Sequence, residues 1–161
     1  MREGTRGGYG FMTMRWRVLT ICSEANRQAV ETAMASWSLD LRFCTTLQDA
    51  RTALRSGRQP IVLCEENLPD GSYQDVLRLL GSKLHRTRVI VLSDADLDQR
   101  YNEARAAGAF DVIASPCKRT DVQWIVIRAV QDHQHRNTFR PRSRIVEEPV
   151  ETVTPENTIL G

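Results

Sequence analysis

Acidic residues crowd one short stretch, Cys64-Glu65-Glu66-Asn67-Leu68-Pro69-Asp70-Gly71, directly after the apolar run Ile61-Val62-Leu63. The run reads as the end of a buried strand. Leu68-Pro69-Asp70-Gly71 reads as a turn, because Pro69 presets its backbone angle and Gly71 tolerates conformations other residues avoid. A carboxylate at the C-terminal tip of a buried strand, beside such a turn, often belongs to a site. Glu65, Glu66 and Asp70 are therefore the first candidates for chemistry.

Other residue types compete for attention. Cys22, Cys44, Cys64 and Cys117 have no short metal-type spacing. Three of them end successive apolar runs, where neighbouring thiols could bind a soft metal or respond to oxidants. The simpler reading is that they are small buried hydrophobes and free thiols of a reducing compartment. His85, His133 and His135 lack metal-ligand partners at suitable spacing, and the last two read as solvated residues at a fraying helix end. No metal site is expected from these residues.

The elements that must position the carboxylates follow from periodicity. Apolar runs at 17–22, 41–44, 60–64, 88–92 and 110–113 read as strands. Helical spacing of apolar residues at 24–35, 47–56, 73–84, 96–107 and 121–134 fills the intervals, with Gly57 and Gly108 as stops. Five strand–helix units in a row predict an α/β fold with a parallel sheet covered on both faces. Residues 1–14 read as a flexible extension in which Met12 and Met14 are alternative starts. Residues 15–134 read as the domain. Residues 135–161 read as a disordered tail, basic first and acidic after.

The chain of 161 residues suits one domain with a full core. A hydrophobic fraction of 41% and a charged fraction of 26% are those of an ordinary soluble protein. A net charge of +2 is too small to argue for nucleic acid on its own, and nucleic acid is not expected as a partner. No run approaches the length of a membrane span, and no secretory signal is evident, which favours the cytoplasm.

The five-unit pattern, with Leu68-Pro69-Asp70-Gly71 after strand three, Leu92-Ser93 ending strand four and Gly108-Ala109-Phe110-Asp111 entering strand five, resembles the receiver domain of two-component response regulators, over about residues 16–134. The resemblance implies a flavodoxin-like, doubly wound (βα)5 sheet of order 2-1-3-4-5, with the site at the C-terminal strand ends. It implies signalling by protein contact rather than enzymatic turnover, with a histidine kinase or a downstream protein as partner. It also implies a docking and possible homodimerisation face on the fourth helix, fifth strand and fifth helix. Arg100, Arg105, Asp111, Trp124 and Arg128 are the candidates for that face.

The same resemblance assigns site positions, and most carry altered residues. The phosphoacceptor position, four before Pro69, holds Glu65 instead of Asp. Its carboxylate sits more than about 1 Å beyond the expected place. Cys22-Ser23-Glu24 stands where an acidic pair would hold Mg²⁺. Ser93 keeps the hydroxyl, Ser115 replaces the Lys before Pro116, and Val112 replaces the switch aromatic. A dianionic phosphoryl group approaching a carboxylate needs a metal and a cation to offset repulsion. The expectation is therefore a degenerate site without Mg²⁺, a cis Ser115–Pro116 bond, and a stand-alone module that is not phosphorylated. Glu65 then has two readings. It is either a built-in charge aimed at Ser93, or a solvated residue left where chemistry once was. Two alternatives stay open: phosphorylation on another carboxylate, Glu66 or Asp70, and a small flavodoxin-like ligand-binding protein or enzyme. The second is served poorly by the loop Cys22-Ser23-Glu24-Ala25-Asn26-Arg27-Gln28.

Overall fold

The computed structural model describes residues 16–138. The expected extension over 1–14, and the tail beyond 138, lie outside the described residues. Five parallel strands form the sheet: β1 (Trp16–Ile21), β2 (Leu39–Cys44), β3 (Ile61–Glu65), β4 (Arg88–Ser93) and β5 (Asp111–Ala114), in the order β2-β1-β3-β4-β5. This is the predicted 2-1-3-4-5 arrangement. The helices are α1 (Glu24–Met34), α2 (Leu47–Ser56), α3 (Tyr73–Leu80), α4 (Leu97–Ala107) and α5 (Arg119–Thr138). A two-residue antiparallel ladder, Asn67–Leu68 with Gly71–Ser72, closes the turn after β3.

Strand alternation divides the core in two. Leu19, Ile21, Val62, Cys64, Val89 and Val91 point to one face and pack under α2, α3 and Ala104 of α4. Val18, Leu63, Ile90, Leu92 and Ile113 point to the other, under α1 and α5. Side chains two apart share a face, so continuous apolar runs fill both layers. Register brings the strand tips level: Ile21 lies between Cys44 and Cys64, Glu65 opposes Leu92, and Ser93 opposes Ala114.

Helix ends follow local chemistry. The Thr46 hydroxyl accepts from Asp49 N at 3.1 Å and caps α2, which Gly57 ends at φ 66°. Ser72 and Asp75 form a capping box on α3. Two helices differ from expectation. α3 stops at Leu80, because Gly81 takes φ 50° and turns the chain into a 3-10 segment, Gly81–Arg86. Leu84 still packs on the core from there, which is why the apolar spacing suggested one longer helix. α5 runs to Thr138 rather than ending at 134. Asp132 ties it down, pairing with the buried Arg88 at the start of β4 and with Arg136 at 3.3 Å. Burial alone would raise the Asp132 carboxyl, but the Arg88 bond and charge more than offset that and leave it below its ordinary value.

His133 is not a solvated residue at a frayed end. Its ring meets Trp16 edge-on at 5.3 Å, and Nε2 donates to Arg86 O at 3.0 Å. Burial lowers its pKa despite that hydrogen bond. The unfolded chain therefore binds the proton first, and stability falls as pH drops below about 6.5, the ordinary histidine value. Urea titrations between pH 7.5 and 5 should show this decline, and His133→Phe should make it shallower. An equally steep decline in the variant would assign the effect elsewhere.

Candidate functional site

The three acidic side chains of the β3 tip have three different surroundings. Glu65, the last residue of β3, is half-buried. Its Oε1 accepts from Ser23 N at 2.8 Å, Ser23 Oγ at 2.6 Å and Asn26 Nδ2 at 2.7 Å. Ser23 is the N-cap of α1, yet its hydroxyl makes no cap bond within its own helix and donates to Glu65 instead. The carboxylate thus sits at the N-terminus of α1, where exposed amides and the helix dipole favour negative charge. The extra methylene of Glu over Asp gives it this reach. Glu65 is neither a solvated remnant nor aimed at Ser93.

Asn26 is the hub of the network and is fully buried. Nδ2 donates to Glu65 and, at 2.9 Å, to Ser115 Oγ. Oδ1 accepts from Cys117 N at 3.1 Å. One amide therefore joins α1, the β3 tip and the loop after β5. That loop contains a cis Ser115–Pro116 bond, as expected. Lys118 and Arg119, next along that loop, are exposed, and the donors to Glu65 come from Ser23 and Asn26 instead. Asn26 escaped sequence reading although a signal was present. It lies on the stripe of Val30, Ala33 and Met34, so a polar residue occupies the buried face of α1.

Glu66 is buried and meets β4 and α4. The Ser93 hydroxyl donates to its Oε2. Arg100 Nε lies 2.7 Å from its Oε1, but the N–H is not aligned on that oxygen, so charge rather than a directed hydrogen bond holds the pair. Ser93 Oγ also accepts from Ala95 N at 3.1 Å, fixing the loop that enters α4. Arg100 was expected on the partner face; it turns inward because it precedes the buried Ala104 by one helical turn. Asp70, exposed on the turn, accepts from Leu47 N at 2.7 Å and Gln48 N at 2.9 Å. These backbone bonds hold its carboxyl below the usual carboxylate range. Its role is to cap α2 from the neighbouring loop.

The thiols divide between the two layers. Cys44 and Cys64 belong to one core, Cys22 and Cys117 to the other. Burial, helped by the Glu65 charge, pushes Cys22 up to about 12, and burial likewise raises Cys44, Cys64 and Cys117. Such thiols are weak nucleophiles and poor metal ligands. Among the described residues no His, Cys, Asp or Glu cluster could hold a metal ion.

Solved structures share this fold. The signal receiver domain of a putative LuxO repressor protein from Vibrio parahaemolyticus superposes with a TM-score of 0.72 at 19% identity, covering 79% of this chain and 98% of that one. The fold is that of a response regulator receiver domain. The signal receiver domain of an HD domain-containing protein from Pseudomonas fluorescens Pf-5 gives 0.71 at 16% identity, covering 81% of this chain and 98% of that one. In sequence, the response regulator protein PilR of Pseudomonas aeruginosa is 27% identical over 120 residues, 73% of this chain and 26% of that protein. The chain thus spans about a quarter of that relative's length. No family model matches the chain.

Beside this network, α4, β5 and α5 form a second exposed face. The exposed large apolar residues of the described chain, Leu97, Tyr101 and Trp124, all lie on these two helices, and Trp124 is 66% exposed. Arg128 pairs with Asp111 at 3.0 Å and lies over the Phe110 ring. Arg105 Nη1 donates to Phe110 O at 2.7 Å. The structure brings Arg105, Asp111, Trp124 and Arg128 to one side of the molecule, while Arg100 turns inward to Glu66. Val112, at the strand position where an aromatic was expected, is buried. No helix of the described residues is long and apolar enough to cross a membrane.

Proposed function

We propose that this chain is a receiver module of two-component signalling that works without phosphorylation, through protein contacts on the α4–β5–α5 face. Receiver domains act by contact with histidine kinases and effector proteins, and some dimerise. The observation that carries the reading is the cradle around Glu65, whose Oε1 already accepts three hydrogen bonds. A phosphoryl acceptor needs an accessible, cation-compensated oxygen. Here neutral donors from Ser23 and Asn26 take the place of the cations.

The residues present do not fit Mg²⁺. Such a site offers carboxylate oxygens with room for several waters. Ser23 and the buried Asn26 instead direct N–H and O–H donors at Glu65, and Glu24 is exposed on the first turn of α1. The other carboxylates are engaged too: Glu66 with Ser93 and Arg100, Asp70 with the N-terminus of α2. Both are poor substitutes as acceptors. The expected role is therefore one of contact rather than catalysis, with a histidine kinase, an effector or a second copy on the exposed aromatic face.

Incubation with acetyl phosphate and Mg²⁺, followed by intact mass, tests this. The expected result is the unmodified mass. A stoichiometric phosphoryl adduct that disappears on mutating Glu65, Glu66 or Asp70 overturns it.

A further inference from the structure

Between α4 and α5 lies a groove of about 500 Å³. Tyr101 and Phe110 supply aromatic surface, and Arg105, Arg128 and Arg136 line it against one acid, Asp132. That acid is already shared by Arg88 and Arg136. Arg105 and Arg128 each use Nη1 on the fold, toward Phe110 O and Asp111, and a guanidinium carries five donors in all. The groove is therefore a positive, partly aromatic surface built to receive an extended anionic chain.

This sequence contains such a chain. From residue 145 to 161 there are four acids, Glu147, Glu148, Glu151 and Glu156, and no Lys or Arg. Pro149 and Pro155 fix backbone angles and lower the entropy lost on docking. Val146, Val150 and Val153 are interspersed to meet the rings. Geometry allows the return. The groove extends back along α5 from Arg136 to Arg128, about 12 Å at the helical rise. The residues between Thr138 and Glu147 reach roughly 26 Å or more when extended.

We propose that the segment 147–156 docks in its own chain's α4–α5 groove and covers Tyr101 and Arg105. This rests on reading the face as the contact surface, and it adds that a partner must displace the acidic segment. The device is an internal competitor whose strength falls with ionic strength.

The test uses the full chain and its amide NMR spectrum. Glu147→Lys/Glu148→Lys/Glu151→Lys should shift amides at 101–110 and 128–136 and leave those of β1 to β3 in place, showing that the fold is intact. Wild-type shifts at these positions should move toward the variant's in about 0.5 M NaCl, where the Debye length is only a few ångströms. Both effects should be independent of protein concentration. Identical groove shifts in wild type and variant overturn the proposal. So do differences that grow with protein concentration, which would place the segment of one copy in the groove of another. The phosphorylation assay reads Glu65 and not the groove, so either reading can fail alone.

Discussion

Glu66→Ala should lower the unfolding free energy by roughly 3 kcal/mol, near the lower end for removing one partner of a buried ion pair. The Glu66 side chain is 10% exposed and that of Arg100 27%. Truncation strands the guanidinium, but partial exposure and Glu103 let it recover some solvation. The Ser93 hydroxyl, fully buried, loses its acceptor as well. Glu66→Gln keeps an oxygen for Ser93 and loses only the charge, so about half the effect is expected. The order of the single variants is the sharper test. Arg100→Met leaves the more buried partner uncompensated and should cost more than Glu66→Met. The double variant should recover part of the loss, since packed apolar side chains often replace a buried pair without penalty. Urea unfolding measures all of these. A Glu66→Ala change within about 0.5 kcal/mol of wild type would mean that the pair contributes nothing.

The same contacts give Glu66 a mechanical role. Ser93 ends β4, and its oxygen also fixes Ala95 N in the loop before α4, while Arg100 stands one turn into the helix. One carboxylate therefore grips both the loop and the helix that carry Leu97, Tyr101 and Arg105. In a site with an accessible acceptor, an added phosphoryl group would compete for the Ser93 hydroxyl. Here the hydroxyl is already committed to a group that the chain itself supplies. These contacts hold α4 to the β4 tip with groups the chain itself supplies, an arrangement that suits the contact module proposed above.

The sequence revealed the frame because burial on both faces leaves unbroken apolar runs, as in Val89-Ile90-Val91-Leu92, and because Gly57 and Gly108 end their helices at positive φ. It was less informative where tertiary contacts decide. Gly81 is hidden within an apolar spacing that continues to Leu84, and the last turns of α5 are held by Arg88 and Trp16 from distant strands. Turn chemistry drew attention to Glu65, and the resemblance to receiver domains marked Ser93 and Ser115. Their partners were not. Ser23 lies 42 residues from Glu65, and Asn26 lies 91 from Cys117. Only the strand order brings them together. The two polar residues that mattered most, Asn26 and Arg100, each occupy an inward helical stripe, a pattern that marks a buried network before any coordinates are known.

Asn26 therefore carries the second large expectation. Asn26→Leu matches its volume approximately but removes three hydrogen bonds at once. Glu65 loses one of three donors, Ser115 Oγ loses its donor, and the Cys117 amide loses its acceptor in a buried place. An orphaned buried group costs about 1–3 kcal/mol. With one orphaned amide and a weakened carboxylate cradle, a loss of roughly 3 kcal/mol is expected, offset slightly by the apolar gain. Asn26→Asp separates charge from shape. It keeps the acceptor for Cys117 N, but it places a carboxyl within hydrogen-bond reach of Glu65. Two carboxylates in one site favour taking up a proton. The new carboxyl then binds a proton in the folded chain at a pH where the unfolded chain has released it. Its stabilising contribution is present at low pH and is lost as pH rises, so the variant should lie closer to wild type at pH 5 than at pH 8. Asn26→Leu should show no such dependence beyond that of the wild-type chain. Denaturant titrations at the two pH values decide. If Asn26→Asp is equally unstable at both, the introduced group does not face Glu65, and the amide that joins α1, β3 and the loop after β5 is not the hub described here.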